Sequence, residues 1–465
     1  MNRILQLNPV FMSVGAWCIL IISISSGLVL AVWPITQRDG LEMWTYARVH
    51  EETYAKPITL WNEQSAEKNH ETVNLYVLDG AAQVRRTLSA FWSGTPVADV
   101  MEVEQDWMGR FFSGPQDSIG FADITDRLRD EGIHKKINEP AFGLWTSRGR
   151  IFGIPHDVHP VMLAYRADIL GEMGIDITQA QTWDEFAKLM MIVLKHQDGS
   201  GQRIYPMSIW HTNMQLIETL MLQAGGGTFN SNGEIIIASD ANALVLATVI
   251  RWCIGEKRIG VDAPEFQPSG NQLRLEGRVL CTLMPDWLAG VWKQDLPQLK
   301  GKLKLMPLPA WKPGGRRTSV MGGTMIAIPK STENFEDAWA FAKHLYLSEE
   351  VAERLFQRNN IISPVKALWN CSFYKQPDPY FSNQVVGQMY IDLAPSVPTR
   401  TSTPYRGIAI SRISEVVHKL RQYAEQRPNF DRDALIPVAK ELLADAEERV
   451  IEEMQQNYFL SQKVN

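Results

Sequence analysis

Hydrophobic and polar positions divide the chain into three regimes. Val10 to Val32 (VFMSVGAWCILIISISSGLVLAV) carries no charged side chain. From Leu41 to Phe112, short apolar runs of strand period alternate with stretches of helix period. Leu41–Ala47, Val73–Leu78 and Ala98–Val103 are the strands. His50–Glu67, which Pro57 must bend or interrupt, and Ala81–Trp92 are the helices between them, and Trp107–Phe112 begins another. A β-α-β-α-β order with short connections predicts a parallel, doubly wound sheet.

Further along, Arg150–Ile154 and Val161–Tyr165 are extended on either side of His156-Asp157-Val158-His159-Pro160. Helices are expected at Trp183–Lys195, Gln215–Ala224 and Asp240–Ile254. Val279–Met284, closed by Pro285, Leu303–Met306 and Thr324–Ile328 read as strands. From Phe335 onward the pattern is mostly helical, with a Pro-rich loop between about Gln376 and Tyr405.

The N-terminal run is about 34 Å long as a helix at about 1.5 Å per residue, enough to cross a bilayer core. Trp33 lies where an interfacial aromatic fits, and Arg3 precedes the run, placing residues 1–9 in the cytoplasm. A cleaved signal peptide is the competing reading. Its apolar region is shorter and ends at small residues, whereas this run ends in bulky AVWPITQR. The balance favours a retained anchor over 10–33, with no second span of this length after it.

Composition then narrows the function classes. Hydrophobic residues make up 45% and charged residues 21% of 465 positions, which supports a large buried core. A net charge of −6 lacks the basic face a nucleic-acid binder needs. The 15 Trp are mostly packing material, with a few available as flat platforms in a pocket. Cys18 lies in the apolar run. Cys253, Cys281 and Cys371 show no metal spacing and are expected as three buried thiols. Gly225-Gly226-Gly227 follows a helix and lacks the Lys-Ser/Thr of a phosphate loop. No cofactor is expected.

Six segments, in order, resemble the extracellular solute-binding proteins of ABC importers, the family that includes maltose-binding protein. They are LEMWTYARVHEETY, SGTPVADVMEVEQDWMGRFF, RGRIFGIPHDVHPVMLAYRADILGEMGID, TWDEFAKL, EGRVLCTLMPDWLAG and VMGGTMIAIPKSTENFEDAWAFAKHL, spread over about 41–440. The resemblance implies an α/β, two-lobed periplasmic-binding-protein fold (type II) with a hinge, preceded by the N-terminal transmembrane helix. Crossings between lobes are expected near His156–Pro160, Met306–Ala310 and Leu345–Glu349. Lobe one is then 41–155 plus 310–345, and lobe two 160–305 plus 350–455. It further implies a monomeric, non-enzymatic receptor on the outer face of the bacterial inner membrane. Its ligand would be a mono- or oligosaccharide and its partner an ABC permease. A tethered carbohydrate-active enzyme and a sensory module are the alternatives.

Sugar recognition requires aromatic faces against ring faces and planar polar groups for hydroxyls. Trp287, after a strand and a proline, is the first candidate, with Asp286 beside it. Trp44 and Tyr46 end the first strand, and His50 opens the next helix. Glu104 and Asp106 follow the third strand, where Asp106 also suits an N-cap. His156, Asp157 and His159 occupy the first crossing; their spacing is not that of a metal motif. Trp210 and His211 lie at the mouth of lobe two. Gly322 and Gly323 allow backbone to approach a ligand closely.

Overall fold

The computed structural model describes residues 13–32, 39–197, 199, 201–427 and 430–456. The chain forms two units, Met1–Gly40 and Leu41–Asn465. In the first, Val14–Val32 is a helix with no charge in its first or last turn. The expected span Val10–Val32 lies only partly inside the described residues, since 10–12 and the side chains of 29–32 fall outside them. Among the described residues no helix is long and apolar enough to cross a membrane.

The second unit is built on two mixed five-stranded sheets. The strands are β1 (Leu41–Thr45), β2 (Val73–Val77), β3 (Val100–Glu104), β4 (Thr146–Ser147), β5 (Arg150–Ile151), β6 (Ile154–Pro155), β7 (Val161–Arg166), β8 (Tyr205–Ser208), β9 (Gly260–Val261), β10 (Val279–Pro285), β11 (Leu303–Pro307) and β12 (Thr324–Ala327). The first sheet has the order β2-β1-β3-β12-β6 and the second β11-β7-β10-β8-β9, while β4 and β5 form a separate pair. β1 runs parallel to β2 and β3, as the alternating pattern predicts. β12 is antiparallel to β3 and β6, and β7 is antiparallel to β10 and β11.

Both sheets are covered on both faces. Val100 and Ile326 enter one core of the first sheet, while Met101, Val103, Met325 and Ala327 enter the other. Across the second sheet, Val161, Leu163 and Tyr165 face one core and Met162 and Ala164 the opposite one. This is the period-2 alternation of a strand sandwiched between helical layers. It explains why these strands read as continuous apolar runs. Pro285 is the last residue of β10 and pairs with Val161, so the strand runs one residue past the expected closure.

The helix Arg48–Glu63 continues through Pro57. A proline there leaves the carbonyl four residues earlier without its helical partner. That carbonyl, on Thr53, accepts a hydrogen bond from Arg354 Nε at 3.1 Å. A neighbouring helix thus replaces the missing donor, and the expected interruption does not occur. The helix Trp183–Met190 begins with a capping box at Thr182 and Glu185, a pairing that the segment TWDE encodes.

Two adjacent extended segments connect the sheets. Residues 156–160 lead from β6 to β7, and the return lies against them, with a bridge between Pro160 and Val320. His156 N donates to Thr324 O at 2.9 Å. In place of a crossing at Met306–Ala310, Ala310 bridges to Thr182, and Ser319 Oγ donates to Thr219 O at 2.6 Å. The return from the second sheet's side therefore falls at Met321–Gly323. The helix Glu349–Asn359 sends Val351 and Leu355 into the first sheet's core and Ala352 into the second's.

All four cysteines are free thiols. Cys253 and Cys281 are buried, and Cys371, expected to be buried, is half-exposed.

Candidate functional site

The first-sheet strands β1 and β3 end at one side of the sheet, and the crossing segments pass beside those ends. In open α/β sheets a crevice outside the strand carboxyl ends is the common ligand position. Here it is a cavity of about 440 Å³, within the range of roughly 300–1,000 Å³ usual for small-molecule sites. Tyr46, His50, Glu104, His156, Asp157, His159, Trp287, Gly322 and Gly323 all line it.

Beneath the cavity runs a continuous buried hydrogen-bond network. Asp286 Oδ1 accepts from His159 Nδ1 at 2.5 Å, and His159 Nε2 lies 2.9 Å from Asp157 Oδ2. His156 Nδ1 meets the same Asp157 oxygen at 2.9 Å. His156 Nε2 is 2.9 Å from the Tyr54 hydroxyl, which donates to Glu102 Oε1 at 2.8 Å. Glu102 also accepts from Tyr346 OH at 2.6 Å, His50 Nδ1 at 2.8 Å and Thr45 Oγ1. The network thus links Asp286, which follows β10 of the second sheet, to Glu102 inside β3 of the first.

Its electrostatics follow from these contacts. Both ring nitrogens of His159 face a carboxylate, so both must carry protons, and the ring is an imidazolium. Burial alone would lower its pKa, but Asp157 and Asp286 outweigh that and raise it to about 10. Burial likewise opposes ionisation of Asp157, yet His159 and His156 hold it well below the usual carboxylate range. For Glu102, burial is outweighed by His50, His156 and Thr45, leaving the carboxyl at about 2. Glu104, at the cavity wall, goes the other way. Burial and the neighbouring Asp106 push it up to about 8, so near neutral pH it is a protonated carboxyl able to donate a hydrogen bond.

Backbone geometry shapes the opening. His159 has φ +50° and Gly322 φ +92°. A Cβ on Gly322 would lie 2.7 Å from Trp287 Nε1 and 3.2 Å from His159 Cδ2. Only glycine fits between them. Trp287 Nε1 donates to Met321 O at 2.9 Å, which fixes the indole beside the cavity. Tyr46 OH is 2.6 Å from Thr324 Oγ1, and its ring packs edge-on against Trp107.

The remaining sequence candidates lie outside the cavity lining. Asp286 is fully buried behind His159. Asp106 pairs with Arg406 at 2.8 Å. The side-chain cap at this point is Glu104, which accepts from Asp106 N at 3.2 Å, because the chain turns helical at Gln105, two residues earlier than expected. Trp44 packs against a core of the first sheet, the same one that Tyr46's ring neighbour Trp107 joins. Trp210 packs against the second sheet's core, and buried His211 accepts from Arg421 Nη1 at 3.0 Å. Burial and the Arg421 charge lower its pKa to about 4.

Sequence reasoning passed over Glu102, Tyr54, Tyr346 and Phe266. Glu102 did carry a signal, an acid inside the apolar run of a strand expected to be buried on both faces. The tyrosines and Phe266 carried none.

A larger groove of about 1290 Å³ is lined by Arg129, Lys135, Arg148 and residues 399–405. Arg400 at its wall donates to Gln105 Oε1 and Gly322 O. Of the network residues, none lines this groove. The convergence of buried titratable groups and aromatic rings makes the smaller cavity the candidate functional site.

A family model described as bacterial extracellular solute-binding protein matches residues 49–352. An arabinooligosaccharide-binding protein of Bacillus subtilis is 27% identical over 352 residues, covering 73% of this chain and 78% of the relative. A protein of the same description from Halalkalibacterium halodurans is 26% identical over 345 residues, covering 73% and 75%. Among solved structures, the sugar-binding protein MalE of Xanthomonas citri superposes with a TM-score of 0.69 at 15% identity, covering 90% of this chain and 99% of that one. At that identity the likeness is one of fold, a mixed α/β architecture of the two-lobed binding-protein type.

Proposed function

The chain is a member of the bacterial extracellular solute-binding protein family, a family of carriers rather than enzymes, and from that membership we propose that it captures a carbohydrate in the 440 Å³ cavity and delivers it to an ABC permease. The observation that carries this reading is the cavity's chemistry. Trp287 and Tyr46 offer flat apolar faces, and Glu104, Asp157 and Asn359 offer planar polar groups around the same space. A neutral polyhydroxyl ring needs that combination. The sugar-binding descriptions of both relatives point the same way.

The two sheet-centred halves act as lobes, 41–155 with the β12 region and 160–320 with most of 360–455, hinged at 156–160 and 321–323. A ligand touching both halves favours the closed arrangement, because only that arrangement provides all its contacts. The uncharged helix Val14–Val32 anchors a monomeric receptor on the outer face of the membrane. Tethering keeps it near its permease at high effective concentration.

The test is a thermal-shift and calorimetric screen of the full chain in mild detergent. The probes are arabinose, arabinobiose, arabinotriose, maltose and a set of amino acids. A sugar ligand raises Tm by mass action, and Trp287→Ala abolishes that shift while the protein stays folded. A shift produced by amino acids and by none of the sugars would overturn the proposal.

A further inference from the structure

Charge is divided unevenly between the two openings of this fold. The smaller cavity is lined by Glu104, Asp157 and Asp295, with no lysine or arginine among the described residues. The groove of about 1290 Å³ reverses this: Arg129, Lys135, Arg148 and Arg400 line it against a single acid, Glu139. That excess of cations stands out in a chain whose net charge is −6. The openings are also separate. The hollow shared by Asp157, Gly323, Pro140 and Arg400 holds only about 20 Å³, room for about one water and not for a sugar ring.

Two of these arginines are positioned by neutral groups. Arg148 and Gly149 form the tight turn between β4 and β5, with φ +50° and +79°. Such a turn favours Asn or Gly at its first position, so an arginine there is held at a cost in backbone strain. Arg148 Nη2 donates to Gly114 O at 3.0 Å and Phe112 O at 3.4 Å. Arg400 donates to Gln105 Oε1 and Gly322 O. Burial lowers the Arg400 pKa only to about 10, so it stays charged at neutral pH. Arg129 pairs with Asp126 at 2.8 Å, but both side chains are mostly exposed, and such a pair is exchanged at little cost. Ser231, Thr399 and Ser402 add hydroxyls around the same space.

Resting on the carbohydrate reading above for the class of ligand, we propose that the groove is a second binding site, one that takes a uronate-bearing oligosaccharide. Its carboxylates pair with Arg148, Lys135 and Arg129, and its hydroxyls meet the serines and threonines. A guanidinium presents a planar fork that matches both oxygens of a carboxylate. The groove exceeds the roughly 300–1,000 Å³ usual for a small-molecule site, which suits a chain of several sugar units. The acids lining the smaller cavity repel the same ligand. The two openings therefore divide acidic saccharides from neutral ones. Arg400, bonded to the carbonyl of the cavity residue Gly322, is the wall between them.

The experiment measures Kd by calorimetry on the full-length protein in mild detergent, at low and high salt. The probes are trigalacturonate, arabinotriose and triglutamate. The variants are Lys135→Gln, Arg148→Gln and Trp287→Ala, with Tm recorded for each. Arg148→Gln is expected to weaken trigalacturonate about tenfold and Lys135→Gln about threefold, with arabinotriose unchanged by either. Added salt is expected to weaken trigalacturonate alone, because its contacts are ionic. Trp287→Ala, which removes neutral-sugar binding in the cavity, is expected to leave trigalacturonate bound. Where Arg148→Gln lowers Tm through its lost carbonyl contacts, the exposed Lys135→Gln decides. Trigalacturonate that fails to bind, binds equally well to both groove variants, or is lost with Trp287→Ala overturns the groove site. Triglutamate binding as tightly as trigalacturonate overturns the saccharide assignment. A wild type that binds arabinotriose but not trigalacturonate removes the groove site alone, whereas one that binds neither removes the carbohydrate reading with it.

Discussion

Replacing Glu102 by glutamine removes one charge from the centre of a cage of donors. The carboxylate is fully buried and accepts from Thr45, His50, Tyr54 and Tyr346. It is held at about 2 against an ordinary 4.5. At about 1.36 kcal/mol per tenfold change in proton affinity, that gap corresponds to about 3 kcal/mol of folding stability at neutral pH. The folded value is the lower one, so the contribution is present above about 4.5 and is lost as pH falls through about 2. A glutamine accepts at one oxygen and presents an NH2 to groups that were themselves donating, leaving part of the cage unsatisfied. Urea unfolding of wild type and Glu102→Gln at pH 7, 4.5 and 3 measures the effect. The variant should be about 3 kcal/mol less stable at pH 7, and the difference should narrow as the solution is acidified. A difference below about 1 kcal/mol at pH 7, or one that stays flat from pH 7 to pH 3, would refute the assignment of Glu102 as an ionised keystone.

His159 should remain an imidazolium across the neutral range: its stabilising contribution is complete below about 6.5 and fades as pH rises through about 10. An NMR titration of its ring with a midpoint near 6.5 would contradict the double carboxylate clamp. Gly290→Ala should lower stability by about 1–3 kcal/mol, because a Cβ there runs into the Asn359 carbonyl; an unchanged Tm would mean the helix Asp286–Asp295 can shift freely. Arg406 pairs with half-exposed Asp106 and with nearly buried Glu218. Arg406→Met should therefore cost about 3–5 kcal/mol by stranding Glu218, against at most about 1 kcal/mol for Asp106→Asn. Equal costs in chemical denaturation would show that the two acids share the cation evenly.

The buried network separates support from recognition. Glu102, Tyr54, Tyr346 and Asp286 lie outside the cavity lining, yet they orient His50, His156 and His159, which line it. A change in this supporting layer should therefore alter ligand affinity through ring orientation as well as through folding stability.

Local periodicity determined a good deal by itself. The parallel β1, β2 and β3, the capping box at Thr182 and the apolar strand β10 are all readable from neighbouring residues, because strand alternation and cap chemistry act over a few positions. The ordered motifs carried the family for the same reason, being local strings. Other features were decided only by packing. The passage of a helix through Pro57 depended on Arg354, some three hundred residues away. The return crossing at Met321–Gly323 depended on pairing of Ala310 and Ser319 with distant backbone. The clamp on His159 required Asp286 to arrive from the other sheet. Phe266 joined the cavity lining only through the fold, which sets its ring parallel to that of Trp287. Short-range patterns specify elements because their energies are local, whereas burial, ionisation and strain depend on contacts that the chain makes only after it has folded.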